Sequence, residues 1–364
     1  MINGRIFLYP LSLLYGLITG FRNFLYNTGI LPSVEFNIPV ICVGNITVGG
    51  TGKTPHTEYL ADLLRKQFRV AVLSRGYKRN TDGFLAVSPD LSSEQSGDEP
   101  MQIAVKFPDV LVTVEKNRVK GVRKIMELYP DTEVIILDDG FQHRRLTPGF
   151  SVLLTDFSRL IIKDHMLPYG NLREYLSNIR RADIIIVSKS PADISPIQRR
   201  LIVKEIDKAP YQNLYFTSIS YMPLRPVFNI NGKGALPELN RLFGTGVVLV
   251  TGIANPEPLK KLVESTAGEL IHLPFPDHYR FRDKDLQAVS EAYEKLKLPI
   301  KYILTTEKDS VRLKEFTNIA EPVKKAMFYI PVGIDFLNDD RDEFDKLIVD
   351  YVRKNKRNNR LSEI

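Results

Sequence analysis

Residues 38–66 read IPVICVGNITVGGTGKTPHTEYLADLLRK, and this stretch decides the fold. Residues 38–43 are a short apolar run bounded by turn residues, the pattern of a buried strand. Residues 55–66 read as a helix. Between them, residues 47–54 read TVGGTGKT. Strand, glycine-rich loop and helix, in that order, are the context of a phosphate-binding loop. Gly49, Gly50 and Gly52 let backbone N–H groups turn toward a polyphosphate without a Cβ clash. The helix N-terminus behind them adds partial positive charge. Thr47 and Thr51 belong to the same loop, Lys53 would reach the β- and γ-phosphates, and the Thr54 hydroxyl would ligate Mg²⁺. Pro55 stands at the helix start, where its missing N–H costs little. One position departs from the commonest pattern: Thr47 stands where glycine is usual. A glycine-rich turn with a chance Lys-Thr is the bland alternative, and the flanking strand and helix argue against it.

The pattern continues outward from this unit. Residues 134–137 (VIIL) form an apolar run that ends in Asp138 and Asp139. A hydrophobic strand ending in aspartate is the arrangement that holds Mg²⁺ in P-loop proteins. Adjacent aspartates at a strand end point to opposite faces, so the two do different jobs. Gln142, His143, Arg144 and Arg145 follow, a set rich in donors for a phosphorylated substrate. Further apolar runs at 69–73, 110–114, 151–154 and 184–187 alternate with helical patterns such as 119–128. This alternation predicts an α/β fold, a Rossmann-like and mostly parallel sheet with helices on both faces. Between 218 and 245 the pattern weakens and prolines and glycines cluster (Pro223, Pro226, Gly232, Gly234, Pro237), as in a linker. A second α/β unit then begins, with strands expected at 247–250, 269–273, 300–304 and 326–330. Helices are expected at 257–264 and around Leu286, Val289, Tyr293 and Leu296. The expected division is 1–30 as an N-terminal helix, 31–220 as the P-loop domain and 221–245 as a linker. A smaller domain at 246–352 and a basic tail at 353–364 complete it.

Composition narrows the class. The chain has 364 residues, enough for two domains at about 100–200 residues each. With 43% hydrophobic and 26% charged residues it is ordinary globular material, which excludes wholesale disorder, collagen and coiled coil. A net charge of +7 favours anionic partners. Cys42 is the single cysteine, so neither an internal disulfide nor a cysteine zinc site is open to the chain.

The N-terminus stands apart. Residues 6–21 carry no charge. The run is shorter than the roughly 18–20 residues a spanning helix needs, and it lacks the flanks of a signal peptide. Phe7, Leu11, Leu14, Ile18, Phe21 and Leu25 recur at helical spacing, and Leu13 and Leu17 widen the apolar surface. We read residues 5–27 as an amphipathic helix lying in a membrane interface. The alternative is a hydrophobic helix packed on the body of the protein.

Other motifs leave their roles open on residue types alone. Residues 96–100 (SGDEP) contain Asp98 and Glu99, either first-turn residues of a following helix or, for Asp98, a general base at the sheet edge. Arg75 and Tyr77 in SRGY, Arg118 at a helix start, and Arg173 and Glu174 in LRE either bind anions or make structural pairs. His278 lies in a polar PDHY loop, where a lone histidine is more often structural than catalytic.

Taken in order, GNITVGGTGKTP, SRGY, GDEP, DDGFQHR, TGIANP, PDHY and TEKD cover roughly residues 40–310. This series closely resembles the tetraacyldisaccharide 4′-kinase family of lipid A biosynthesis. The resemblance implies transfer of the ATP γ-phosphate to the 4′-hydroxyl of tetraacyldisaccharide 1-phosphate, an anionic glycolipid. It implies ATP and Mg²⁺, and a monotopic enzyme on the cytoplasmic face of a Gram-negative inner membrane. It also implies a larger P-loop domain and a smaller α/β domain joined by a two-stranded linker, with ATP in the cleft. Carried over by motif, Asp98 is the catalytic base, His278 its helper and Asp138 the Mg²⁺ aspartate. Arg75, Tyr77, Arg118, Asp139, Gln142 and His143 line the site. Arg173 and Glu174 belong to a looser match, because Tyr169 and Asn171 depart from the pattern. A protonated His278 would hold Asp98 in place, and a neutral one would relay its proton.

Two other classes fare worse. A nucleotide-dependent switch or metallochaperone-type NTPase predicts a Cys/His metal motif or an Asn-Lys-x-Asp sequence, and the chain has neither. A nucleic-acid ATPase predicts an aromatic–basic platform, which is also missing. No obligate protein partner is implied.

Overall fold

The computed structural model describes residues 4–228 and 239–362. A 3₁₀ turn (Gly4–Leu8) leads into α1 (Tyr9–Asn27). The larger unit then runs β1 (Val40–Gly44), α2 (Lys53–Arg65), β2 (Val70–Ser74), β3 (Leu85–Ala86), α3 (Ser93–Ser96), α4 (Asp98–Lys106) and β4 (Leu111–Val114). It continues through α5 (Arg118–Leu128), β5 (Val134–Asp138), β6 (Phe150–Asp156), β7 (Ile184–Ser188), α6 (Pro196–Ile206) and β8 (Asn213–Tyr221). The smaller unit holds β9 (Arg225–Pro226), β10 (Gly246–Thr251), α7 (Glu257–Thr266), β11 (Glu269–Pro274), α8 (Asp283–Lys295), β12 (Lys301–Thr306), α9 (Glu307–Leu313), α10 (Glu321–Ala326) and β13 (Met327–Ile330). The chain ends with β14 (Val332–Phe336) and α11 (Arg341–Ser362).

Among the described residues the large sheet has the order β14-β8-β7-β6-β1-β5-β2-β4-β3, and the small sheet β11-β10-β12-β13-β9. Pairing is parallel except at β14–β8, β3–β4 and β13–β9. Every residue of β1, β2, β5 and β7 is buried, which is why these strands read as unbroken apolar runs. Ile41, Val43, Ile136 and Val152 face a layer made by α2, α4 and α11. Val40, Cys42, Ile135, Leu137 and Leu153 face the opposite layer, which includes α5 and α6.

The structure redraws the expected division at its C-terminal end. The sequence places residues 332–352 in the smaller domain. Instead β14 pairs antiparallel with β8 at the edge of the large sheet. Helix α11 then drives Phe344, Ile348, Val349 and Val352 into the large core. The apolar face of α11 had no partner in the smaller sheet, so the chain crosses back to find one. The two crossings, between β8 and β9 and between β13 and β14, lie side by side, with Met222 N donating to Pro331 O at 2.9 Å. Of the expected linker, Gly232, Gly234 and Pro237 lie outside the described residues. Strand β8 and helix α6 were not expected from the sequence.

Within the expected helix at 5–27, residues 4–8 form the 3₁₀ turn and α1 docks by its small and polar side. Ser12, Gly16 and Asn23 are buried, while Leu11, Leu14, Leu17, Ile18, Phe21 and Phe24 are exposed. Ser12 Oγ donates to Met166 O at 2.9 Å and accepts from Tyr169 N at 2.8 Å. The Tyr175 ring packs on the helix backbone at Gly16 and Gly20, where a Cβ would lie 2.4 and 2.9 Å from its nearest atoms. No helix of the described residues is long and apolar enough to cross a membrane.

Candidate active site

The glycine-rich loop leaves the C-terminal end of β1, between β5 and β6, where the strand order reverses. Gly49 (φ 103°) and Gly52 (φ 81°) occupy the left-handed region that favours glycine. The loop is braced from both sides. Asn45 Nδ2 donates to Thr51 Oγ1 at 2.8 Å, and Ser188 Oγ donates to Thr51 O at 2.8 Å. Lys189 donates to Gly50 O, and Arg159 donates to Val48 O at 2.5 Å. Thr47 is buried opposite Leu172, and its hydroxyl finds no hydrogen-bond partner. Lys53 and Thr54 open α2, and Lys53 Nζ lies 3.7 Å from Asp139 Oδ1.

Asp138 ends β5 beside β1, in register with Val43. Its oxygens accept from two neutral hydroxyls, Thr57 at 3.3 Å and Ser74 at 3.1 Å. Burial, then the charges of Glu99 and Asp139, push its carboxyl up to about 6. The next residue, Asp139, takes φ 51°, and its Oδ1 is buried without a hydrogen-bond partner. A strained aspartate and a buried, under-stabilised one thus stand side by side at the loop.

Cations surround the acidic pair. Arg118, 1% exposed, donates to Glu115 O at 2.7 Å and to Asp138 O at 2.8 Å. Its Nε has no partner. Arg173 lies 3.8 Å from Asp139 Oδ2 and 3.5 Å from Gln142 Oε1, and Gln142 in turn donates to Asn45 O. Burial, then Arg118, Arg75 and Arg22, hold His143 down at about 4, so it is neutral at pH 7. A cavity of about 270 Å³ opens beside this cluster, lined by Lys116, Asn117, Arg118, His143 and Arg145 among others. Glu174 points elsewhere: it is buried and pairs with Arg181 and, at 3.2 Å, with Asn23 of α1.

The second cluster joins the two units. Gly97 (φ 92°) starts α4 and puts Asp98 in its first turn. Asp98 Oδ2 lies 2.8 Å from His278 Nδ1, which comes from the loop after β11. His278 has φ 58°, an uncommon conformation for histidine. Its ring meets Tyr77 edge-on at 5.5 Å, and its Nε2 lies 3.0 Å from Lys308 Nζ. Arg312 of α9 completes the cluster. Its Nε donates to Asp98 Oδ1 at 2.7 Å, and its terminal nitrogen donates to Asp98 Oδ2. Burial raises the Asp98 carboxyl, but the donors His278 and Arg312 outweigh it and hold it well below the usual carboxylate range. The two clusters share one sheet edge: Ser74, at the end of β2, donates to Asp138, and two residues on, Gly76 packs against Gly97, where a Cβ would lie 3.3 Å from the Gly76 Cα.

The structure thus brings Lys53, Thr54, Asp138, Asp139, Arg118, Gln142 and Arg173 together, and joins Asp98, His278 and Tyr77. Arg75 is exposed nearby and acts on His143 by its charge. Sequence reasoning missed Lys308 and Arg312. The signal available was TEKDSVR, where Thr306 caps α9 and Lys308 and Arg312 fall four apart on one helix face.

A family profile described as Tetraacyldisaccharide-1-P 4′-kinase matches residues 4–353. The chain belongs to this family. It is 44% identical over 362 residues to the tetraacyldisaccharide 4′-kinase of Bacteroides thetaiotaomicron, covering 98% of this chain and 95% of that one. Against the tetraacyldisaccharide 4′-kinase of Flavobacterium johnsoniae it is 40% identical over 351 residues, covering 96% and 98%. Among solved structures, Aquifex aeolicus LpxK in complex with ATP superposes with a TM-score of 0.74 at 31% identity, covering 96% of this chain and all of that one. The 4′-kinase match spans both units, the return of β14 and most of α11 included. The P-loop switch reading is not favoured.

Proposed function

We propose that this chain transfers the γ-phosphate of ATP to the 4′-hydroxyl of tetraacyldisaccharide 1-phosphate, at a membrane surface. One observation carries the reading: a carboxylate–imidazole pair, assembled from both units, stands at the same sheet edge as a lysine-bearing phosphate loop. Phosphoryl transfer asks for positioning and charge neutralisation more than for covalent chemistry. Lys53 would draw charge from the β- and γ-oxygens. Asp98 would orient the sugar hydroxyl and accept its proton late, when the oxygen has become acidic. His278 would hold Asp98 and face the nucleotide side.

The residues fit a divalent cation. Asp138 is buried against neutral hydroxyls, and Asp139 Oδ1 accepts no hydrogen bond and has Lys53 Nζ at 3.7 Å. Among the described residues no cluster of three His, Cys, Asp or Glu side chains could hold a metal alone, so hydroxyl and phosphate oxygens would complete the set. Thr54 and Asp138 are the protein ligands we assign. Bound Mg²⁺ would supply charge neutralisation on the phosphates.

Membrane residence follows from α1. Its polar side already satisfies the body, which leaves Leu14, Leu17, Ile18 and Phe21 for another phase. A continuous apolar face is rarely left in water by a soluble protein. A kinase seated in the interface leaves the acyl chains in the bilayer and reads the headgroup. Extracting them would forfeit about 0.8 kcal/mol per buried CH₂. The inner-membrane cytoplasmic face, where ATP is available, is the surface we assign.

The test is a product mass measurement. Protein in mild detergent is mixed with tetraacyldisaccharide 1-phosphate and MgATP, with Lys53→Ala as the control. A Lys53-dependent gain of one phosphate on the lipid is expected. No gain from folded, ATP-binding protein overturns the reading.

A further inference from the structure

Asp98 is over-determined for a simple base. A carboxylate has about four lone-pair sites. Arg312 takes one on each oxygen, and His278 takes a second on Oδ2. One site remains, on Oδ1. A guanidinium fork fixes the carboxylate plane as a single donor could not.

Arg312 is itself held. It donates to Tyr279 O at 2.9 Å and lies 3.5 Å from Asp309 Oδ1. Asp309 is fully buried and accepts from Gly252 N at 2.8 Å and Thr306 Oγ1 at 2.7 Å. A rigid chain of contacts therefore runs from the end of β10 through α9 to the first turn of α4. Both partners of Asp98 come from the smaller unit.

We infer that Arg312 is the positioning residue of the acceptor base: it turns the one free lone pair of Asp98 toward the substrate hydroxyl, and does so only while the smaller unit is seated on α4. This rests on the reading of Asp98 as that base. Arg312 trades basicity for orientation, because its charge stabilises the carboxylate. A loose phosphoryl-transfer transition state tolerates the trade, since little proton transfer is needed early. The groups that face Asp98 are His278 from the β11 loop and Lys308 and Arg312 from α9. Asp277 and Asp309 face those cations in turn. Removing Arg312 takes a positive charge from beside both Asp98 and His278. Asp98 would then protonate at higher pH.

The test uses the full chain and three variants, Arg312→Gln, Arg312→Lys and Lys106→Met. Lys106 ties α4 to α9 through Glu307 at 3.0 Å and to Glu58 at 2.5 Å, without touching Asp98. Single-turnover transfer is followed against pH, together with KM for ATP and the thermal midpoint. Arg312→Gln should lose roughly a hundredfold in rate at pH 7, the scale of a misplaced reacting group. Its KM for ATP should stay near the wild-type value, and its acid limb should move to higher pH. Arg312→Lys, with the charge but not the fork, should recover part of the rate. Lys106→Met should lower the thermal midpoint and keep the wild-type acid limb. An Arg312→Gln enzyme with an unmoved acid limb, or a rate loss no greater than that of Lys106→Met, overturns the proposal. If Arg312→Gln does not fold, Arg312→Lys decides by rate alone: a loss no greater than that of Lys106→Met overturns the proposal. Asp98→Asn separates the premises: full turnover in that variant removes the base reading itself, whatever Arg312 does.

Discussion

The two terminal helices are both amphipathic, yet they meet the same large unit with opposite faces. Helix α11 buries Phe344, Ile348 and Val352 against the layer that holds α2. Helix α1 buries Ser12, Gly16 and Asn23 and turns its leucines and phenylalanines outward. Periodicity therefore groups residues onto a face but does not say what that face meets. Polar contacts and close backbone approach hold α1, much as small residues pack helices inside membranes. Apolar burial holds α11. The first helix leaves its hydrophobic surface exposed, and the second spends its own on the fold.

Truncating the two faces should break this symmetry most sharply. Phe344→Ala in α11 should cost about 3–5 kcal/mol of folding stability, as for other buried phenylalanines. Leu17→Ala in α1 should change it by no more than about 0.5 kcal/mol. Denaturant midpoints of the two variants check this; equal losses would put α1 in the core. Making the outer face polar should act on lipid instead. In Leu14→Ser/Leu17→Ser/Phe21→Ser, each lost side chain is worth up to about 1.5–3 kcal/mol of burial. Vesicle co-sedimentation should fall by two orders of magnitude or more while the thermal midpoint holds. The inner face responds to bulk: Gly16→Leu drives a side chain into Tyr175 and should cost about 1–3 kcal/mol of docking. Faster proteolysis within α1, with the body intact, would report it.

Acid should weaken the hold of α2 on the large sheet. His56 of α2 is buried, with Gly52 O at 2.7 Å and Thr217 Oγ1 at 3.0 Å. Burial, offset only in part by Gly52, lowers it from 6.5 to about 4. The unfolded chain takes up that proton near pH 6.5 and the folded chain refuses it. The stability is complete above pH 6.5 and is lost as pH falls toward 4. His56→Gln should flatten stability against pH in that window, as read by urea midpoints.

What was legible in the sequence was whatever chemistry sits on consecutive residues. The loop at 47–54 and the aspartates after β5 stand out because backbone geometry there demands glycines and a strand end. Strand β8 was hidden because its inward positions include Thr217 and Ser218, which break the apolar run. Thr217 is polar because it serves His56. Strand β14 was hidden because five residues after a proline give too little pattern to assign to one sheet over another. Arg312 was hidden most completely. It lies 214 positions from Asp98, and nothing local marks a guanidinium whose partner arrives from another unit.

The most direct test places the acceptor where the account says the enzyme works. Tetraacyldisaccharide 1-phosphate is embedded in anionic phospholipid vesicles and mixed with MgATP. Phosphate transfer is then compared between the wild-type chain and Leu14→Ser/Leu17→Ser/Phe21→Ser, with Lys53→Ala as the blank. The account predicts Lys53-dependent phosphorylation by the wild type and little by the α1 variant, although both bind ATP and fold equally well. Equal turnover of vesicle-embedded acceptor by the two proteins would contradict it.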